Sequence, residues 1–453
     1  MNIIIVGMGK LGMTLTSQLS GENHDVVVVD INGSVVTNTV DSYDVMGICG
    51  NGSTVEILRE AGAKKAKLLI ACTGSDELNI LCCTFAKNLG TEYTIARVRN
   101  PDYATQTQFL REKIGINMIV NPEYETANEI SRIIRFPSVA SLDSFARGKV
   151  EMARIVLHSD NPLCDMQISE IRKKFKANVI ICAVQRGNSV YIPGGKFELK
   201  REDSINITGT RTEISLFLKQ TGVYKHRIKN VMIIGGGKIG FYLSELLSDT
   251  SRNIKLIDSD PARCHDLTNA LTDVSIICGD GTDQAILDEQ GLDNQDALVA
   301  LTGIDEENIV VSLYAESKNV KKVIAKVNRH SYSILNNIGL ETLVSPQNVA
   351  GSLVTRYVRA LENSSGSANI QTLYKLVGGK IEAAEFIVPQ NWAHNDETIK
   401  EMNLKSNLIV ACIIRNGKVI YPNGDDCINS GDNVVIVTAG NSIKELHDIF
   451  KLG

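Results

Sequence analysis

NIIIVGMGKLG, from Asn2 to Gly12, is an aliphatic run that opens on to glycines at 7, 9 and 12, and a second aliphatic run, VVVV from Val26 to Val29, ends in Asp30. Such a pattern describes a strand that turns sharply into a helix, with an acid closing the next strand. In a Rossmann fold the first glycine permits the turn, the second lets the backbone approach a pyrophosphate, and the third lets helix and strand pack closely. The pyrophosphate sits on the helix N-terminus, whose unpaired amides and dipole favour an anion. Asp30 is placed to accept hydrogen bonds from ribose hydroxyls. A Gly-x-Gly-x-x-Gly alone is weak evidence, but here the strand before it, the helix after it and the acid at the right distance supply the context. Ile31, Asn32 and Gly33 bring no arginine toward a 2'-phosphate, which favours NAD over NADP.

The same stretch occurs twice. NVMIIGGGKIG, from Asn230 to Gly240, repeats it 228 residues later, and IKLID ends in Asp258 as VVVVD ends in Asp30. At an offset of 229, GNGS from Gly50 matches GDGT from Gly279, and TGSDELNI from Thr73 matches TGIDEENI from Thr302. ARVRNPDY then matches AKVNRHSY, and much later Arg186, Pro193 and Asp203 match Arg415, Pro422 and Asp432. Landmarks in one order and nearly one spacing define a duplicated chain. In the second half Arg263 lies five residues beyond Asp258, so the case against NADP is weaker there.

Each half has a two-part plan. Short Val/Ile/Leu-rich runs at 3–6, 26–29, 45–48, 68–72 and 94–98 alternate with helix-length segments, as in doubly wound parallel sheets buried on both faces. A second texture follows, with strands expected at 150–157, 178–185, 189–192 and 204–209, repeated at 380–388, 407–414, 418–421 and 432–438. The fold class is α/β, with two doubly wound Rossmann domains each followed by a small α+β domain. The expected boundaries are 1–123, 140–222, 228–347 and 369–453, with a Ser-rich linker from Glu362 to Ala368.

Composition narrows the function. The chain has 453 residues, 43% of them hydrophobic and 22% charged, with nine prolines, so it should be folded nearly throughout. A net charge of −5 lacks the basic footprint of nucleic-acid binding. The basic run Arg172, Lys173, Lys174 and Lys176 reads as a solvated helix face around a packed Phe175. No stretch reaches the ~18 to 20 apolar residues of a membrane span, and the N-terminus does not read as a signal peptide. Ten scattered cysteines without a Cys-x-x-Cys pair fit a reducing cytosol, and Cys49, Cys72, Cys182 and Cys278 read as small hydrophobes. No metal site is expected.

Thr73 and Gly74, with Thr302, end the fourth strand of each half, while Arg97 and Lys326 end the fifth, where a cation would meet phosphates. Asp76, Glu77 and Asn79 read as first-turn helix residues. The seven histidines occupy no equivalent positions, and His330, near a site, faces Pro101 in the alignment of the halves. Hydride transfer needs an acid or base and a substrate domain, so a dehydrogenase is the weaker alternative, with a cytosolic scaffold third.

The order GMGKLG, Asp30, GNGS, TGSDELN and ARV, then a small domain running through YIPGG and REDSINITG, resembles the RCK family that regulates potassium conductance. The tandem of two such units resembles the regulatory proteins of Trk-type potassium uptake systems. That resemblance implies NAD or NADH in each Rossmann part, in some members ATP or ADP. It implies a ring of RCK units on a membrane-embedded subunit of the TrkH type, hence a cytoplasmic protein peripheral to the inner face of the cell membrane. Carried over by position, the nucleotide contacts fall on Gly7, Met8, Gly9, Lys10, Leu11, Asp30, Thr73, Gly74 and Arg97. In the second half they fall on Gly235, Gly236, Gly237, Lys238, Ile239, Asp258, Thr302 and Lys326. The family's acid after strand three is Asn51 in one half and Asp280 in the other, which puts the equality of the sites in doubt.

Overall fold

A computed structural model describes residues 1 to 451 except 23, 101–102, 104–108, 111–112, 136–140, 146–148, 158–160, 223–227, 249–251, 329–341, 365–369, 377–379, 441–442 and 444. His158, His226 and His330 lie outside the described residues. The chain divides into two compact units, residues 1–135 with 228–355, and residues 136–227 with 356–453.

In the first unit, strands β1 to β6 are Asn2–Val6, Asp25–Asp30, Met46–Cys49, Leu68–Ala71, Tyr93–Arg97 and Met118–Val120. They form a parallel sheet in the order β3-β2-β1-β4-β5-β6. Ile3, Ile4, Ile5 and Val6 are all buried, as a central strand covered on both faces requires. The helix Lys10–Ser20 follows because Leu11, Leu15 and Leu19 recur four apart and are buried together. Each such aliphatic side chain contributes about 1.5 to 3 kcal/mol on burial. The second half rebuilds the sheet. Strands β12 to β17 are Asn230–Ile234, Asn253–Asp258, Val274–Cys278, Ala297–Ala300, Lys322–Lys326 and Leu343–Val344, in the order β14-β13-β12-β15-β16-β17. Five expected strands per Rossmann part become six, the added one being a short edge strand.

The two halves of this unit exchange their last helices. Pro122–Arg135, which follows β6, buries Ala127, Ile130 and Ile134 in one core with Leu243 and Leu247 of the helix Lys238–Ser248. Tyr124 meets Tyr242 edge-on at 5.5 Å, and Arg135 donates to the Leu246 carbonyl at 2.6 Å. Reciprocally, Pro346–Ser364 lies against Lys10–Ser20, with Thr355 Oγ1 donating to Gln18 Oε1 at 3.0 Å. This helix already contains Glu362 to Ser364, so the start of the expected linker is helical, and 365–368 lie outside the described residues.

The second unit holds two five-stranded sheets. Strands β7 to β11 (Ser141–Phe145, Val150–Val156, Ile180–Arg186, Ser189–Tyr191, Ser204–Gly209) run antiparallel in the order β10-β9-β11-β8-β7. Strands β18 to β22 (Ile370–Leu376, Ile381–Ile387, Leu408–Arg415, Lys418–Ile420, Asn433–Ala439) are antiparallel in the order β18-β19-β22-β20-β21. Met152, Cys182 and Ala183 pack with Ala383, Cys412 and Val435, so the sheets share one apolar layer. The basic run forms the end of the helix Ile168–Lys174, and Phe175 is buried. Arg186 grips the fully buried Asp203 with two bonds of 2.7 Å, and Arg415 grips Asp432 at 2.8 and 2.7 Å. Those repeated landmarks therefore tie the central strand of each small sheet, β11 or β22, to its neighbour β9 or β20.

Candidate functional site

Each glycine of the repeated turn has a separate steric reason. Gly7 has φ +94° and Gly235 φ +103°, a region that L side chains rarely enter. A Cβ on Gly12 would stand 2.0 Å from the Gly7 carbonyl oxygen, and one on Gly240 2.2 Å from that of Gly235. Gly9 and Gly237 differ from these. A Cβ at either would meet nothing within 4 Å. Gly9 opens on to a cleft of about 390 Å³ whose lining includes Gly7, Asp30, Asn51, Thr73, Gly74 and Arg97.

Asp30 and Asp258 end their strands, as the sequence indicated, and also hold the glycine turns. Both are half-buried. Asp30 Oδ2 accepts from the Met8 amide at 2.7 Å and Oδ1 from the Asn32 amide at 2.9 Å. Asp258 does the same for Gly236 at 2.6 Å and Asp260 at 2.9 Å. Each carboxylate pins its glycine turn to the neighbouring strand while keeping lone pairs for a further donor.

The far side of the cleft is held by a buried amide. Asn79 Oδ1 accepts from the Thr73 amide at 2.7 Å and hydroxyl at 2.8 Å, and its Nδ2 donates to the Arg97 carbonyl at 2.9 Å. Asn308 ties Thr302 to Lys326 likewise. The acids beside them are not helix caps. Asp76 accepts from the Arg99 and Asn100 amides at 2.8 Å each, and Asp305 from the Asn328 amide at 2.9 Å, clamping the loop after the fifth strand. The Asn51 and Asp280 difference changes little locally, since each oxygen accepts from the amide and hydroxyl two residues on, Ser53 or Thr282.

The two predicted cations meet from opposite halves in one central cavity. It measures about 420 Å³ and is lined by Gly9, Lys10 and Leu11, by Gly237, Lys238 and Ile239, and by Arg97, Glu123, Lys326 and Gln347. Arg97 lies 3.6 Å from Glu123 and donates to the Thr73 carbonyl at 3.5 Å, while Lys326 donates to the Leu301 carbonyl at 3.3 Å. Burial lowers the pKa of both cations; Glu123 opposes the fall at Arg97 and Asp305 at Lys326, where Lys10 adds to it. Cations in a partly desolvated space favour an anion. Met8, Gly236 and Thr302 sit outside this central cavity, with Met8 buried beside its helix. Glu123 and Gln347 escaped the sequence reading. They match through NPE and SPQ, but the offset there drops from 229 to 224. Cys72 also faces both spaces, and burial pushes its thiol up to about 12, so it stays protonated near neutrality.

Among the described residues no helix is long and apolar enough to cross a membrane, and no His, Cys, Asp and Glu group has a metal-holding arrangement.

The TrkA-N domain matches residues 3–122 and 231–346, and the TrkA-C domain matches 152–222 and 384–451. A relative from Archaeoglobus fulgidus, named a Trk system potassium uptake protein TrkA homolog, is 29% identical over the whole of both chains. A structure of the GsuK channel bound to NAD is similar at a TM-score of 0.64 and 19% identity, covering 97% of this chain and 77% of that one. GsuK bound to ADP is similar at 0.51 and 16% identity, covering 80% and 69%. These two likenesses speak for the fold. With TrkA-N matches over more than half of its length and a TrkA-C match behind each, the chain belongs to the TrkA family, two RCK-type units in tandem.

Proposed function

We propose that the chain is a nucleotide-sensing regulatory subunit of a Trk-type potassium uptake system, with no turnover of its own. It works in the cytoplasm, as a ring of RCK units at the inner face of the membrane, and biases a membrane-embedded, potassium-translocating subunit of the TrkH type. The observation that carries this reading is the open space at Gly9 and Gly237, the one place in each turn where a ligand backbone fits and a side chain would not clash with protein. NAD or NADH suits both clefts, and ATP or ADP suits the same donors. The relatives' names and the GsuK structures described with NAD and with ADP support this choice.

A bound nucleotide supplies a ribose and a chain of phosphate charge; the protein supplies the rest. Asp30 and Asp258 orient a ribose with their remaining lone pairs. Gly7 to Leu11 and Gly235 to Ile239 present the first-turn amides. Thr73, Gly74 and Thr302 form the opposite wall. Lys10, Arg97, Lys238 and Lys326 balance phosphate charge from both clefts in the central cavity, so each cleft senses the occupancy of the other.

Regulation follows by linkage, because a nucleotide shifts a conformational equilibrium only by its difference in affinity for the two states. A tenfold preference is about 1.4 kcal/mol per site, and a near-complete switch needs about 5.5 kcal/mol. Two sites per chain and several chains per ring supply that sum. Potassium uptake by cells whose only copy is the Gly9→Leu, Gly237→Leu double variant tests the reading. Uptake should lose its dependence on the nucleotide pool and differ from that of wild type. Uptake identical in wild-type, variant and deletion cells would refute the role.

A further inference from the structure

The second cleft carries a pair of thiols that the first lacks. Cys264 lies in the helix Pro261–Ala270 and Cys278 ends β14. In the parallel pairing of β13 and β14, Asp258 and Cys278 are partners in register. The Cys264 thiol reaches across both strand ends, with Sγ 3.3 Å from the Asp258 carbonyl oxygen and 3.9 Å from that of Ile277, the residue bonded to Cys278. Cys264 is buried and Cys278 is exposed, although its apolar run in the sequence suggested a packed thiol. Burial and the neighbouring Cys278 thiol push the Cys264 pKa up to about 11. At the matching positions the first half has the buried Val36 and the exposed Cys49.

These thiols touch the frame of the cleft. Asp258 holds the Gly236 amide at 2.6 Å, Arg263 Nε donates to the Gly236 carbonyl at 2.7 Å, and Asp260 caps the helix through the Ala262 amide at 3.0 Å. The start of that helix, the acid and the glycine turn are therefore joined by one set of hydrogen bonds.

We propose that Cys264 and Cys278 form a redox-modification site, closed to a disulfide by a low-molecular-weight disulfide, that reshapes the second nucleotide cleft. The exposed Cys278 thiolate attacks one sulfur of the reagent, forming a mixed disulfide and releasing one thiol. Cys264 then loses its proton and attacks the Cys278 sulfur, releasing the second thiol. Overall two protein thiols are oxidised and one disulfide is reduced to two thiols. An S–S bond of ~2.05 Å with its fixed torsion takes Cys264 off the Asp258 carbonyl and draws the helix toward β14. The glycine turn bonded to Asp258 and Arg263 follows. The first cleft, with valine in the helix, stays unchanged. The effect on nucleotide rests on the proposed function, whereas the bond does not.

The test uses the full chain carrying Gly9→Leu, so that only the second cleft takes nucleotide. Oxidised glutathione is the probe. Peptide mapping should recover Cys264 linked to Cys278, and NADH affinity should fall at least tenfold and recover with dithiothreitol. Adding Cys264→Val should stop the reaction at a glutathione adduct on Cys278, with affinity retained. An adduct that never resolves in the chain with both cysteines, or a linked peptide with unchanged affinity, would overturn the proposal. If the reduced chain takes no nucleotide, the functional reading of that cleft fails by itself. Hydrogen exchange of the amides from Asp258 to Cys264 then decides the reshaping, with altered exchange on closure supporting it and unaltered exchange overturning it.

Discussion

Replacing neighbouring glycines of one turn should produce opposite phenotypes. Gly12→Ala places a methyl 2.0 Å from the Gly7 carbonyl oxygen, and Gly240→Ala places one 2.2 Å from that of Gly235. Backbone on both sides cannot yield as a flexible side chain would, so each substitution should cost about 3 kcal/mol or more. Gly9→Leu and Gly237→Leu add far more volume yet meet no protein atom within 4 Å of the new Cβ. Gly9 has φ −71°, which any residue adopts. Those variants should keep wild-type stability and lose nucleotide affinity by about 100-fold, or about 2.7 kcal/mol. Urea denaturation and NADH titration on all four variants separate the effects. Alanine variants as stable as wild type would contradict the packing, and leucine variants that still bind would contradict the position of the ligand.

The second large effect lies in the small domains. Asp203 is fully buried, while the Arg186 side chain is 40% exposed. Removing the arginine strands a buried carboxylate, whereas removing both partners does not. Arg186→Leu should therefore cost about 3 to 5 kcal/mol, and the Arg186→Leu, Asp203→Leu double variant markedly less. Urea midpoints of the wild type, the single variant and the double variant check the order. A double variant as destabilised as Arg186→Leu would contradict the burial of the carboxylate. Arg415 and Asp432 should behave alike.

Much of the fold was legible in the sequence because its information is local. Central strands buried on both faces read as unbroken aliphatic runs, and β1 with its glycines leaves little choice of turn. What escaped was short, polar or non-local. Met118–Val120 is three residues long, and SLDSF at β7 has the polar content of a loop. The exchange of Pro122–Arg135 and Pro346–Ser364 is a tertiary choice that no periodicity encodes. Glu123 was hidden because its place beside Arg97 rests on the short strand β6, whose Val120 stands opposite Arg97 in register. Asp76 lies in the first turn of its helix as read, but its partners, the amides of Arg99 and Asn100 after the next strand, have no local signal.

In the proposed function the chain takes nucleotide in two glycine-turn clefts whose phosphate ends share one cation-lined cavity. Calorimetric titration of the full chain with NADH, with absorbance followed throughout, decides between this and its alternatives. Two binding events per chain are expected, and one in either Gly9→Leu or Gly237→Leu. None is expected in the double variant, with altered affinity at each site when the other is blocked and no oxidation of NADH. A single event in the wild type, binding that survives in the double variant, or steady protein-dependent oxidation would contradict it.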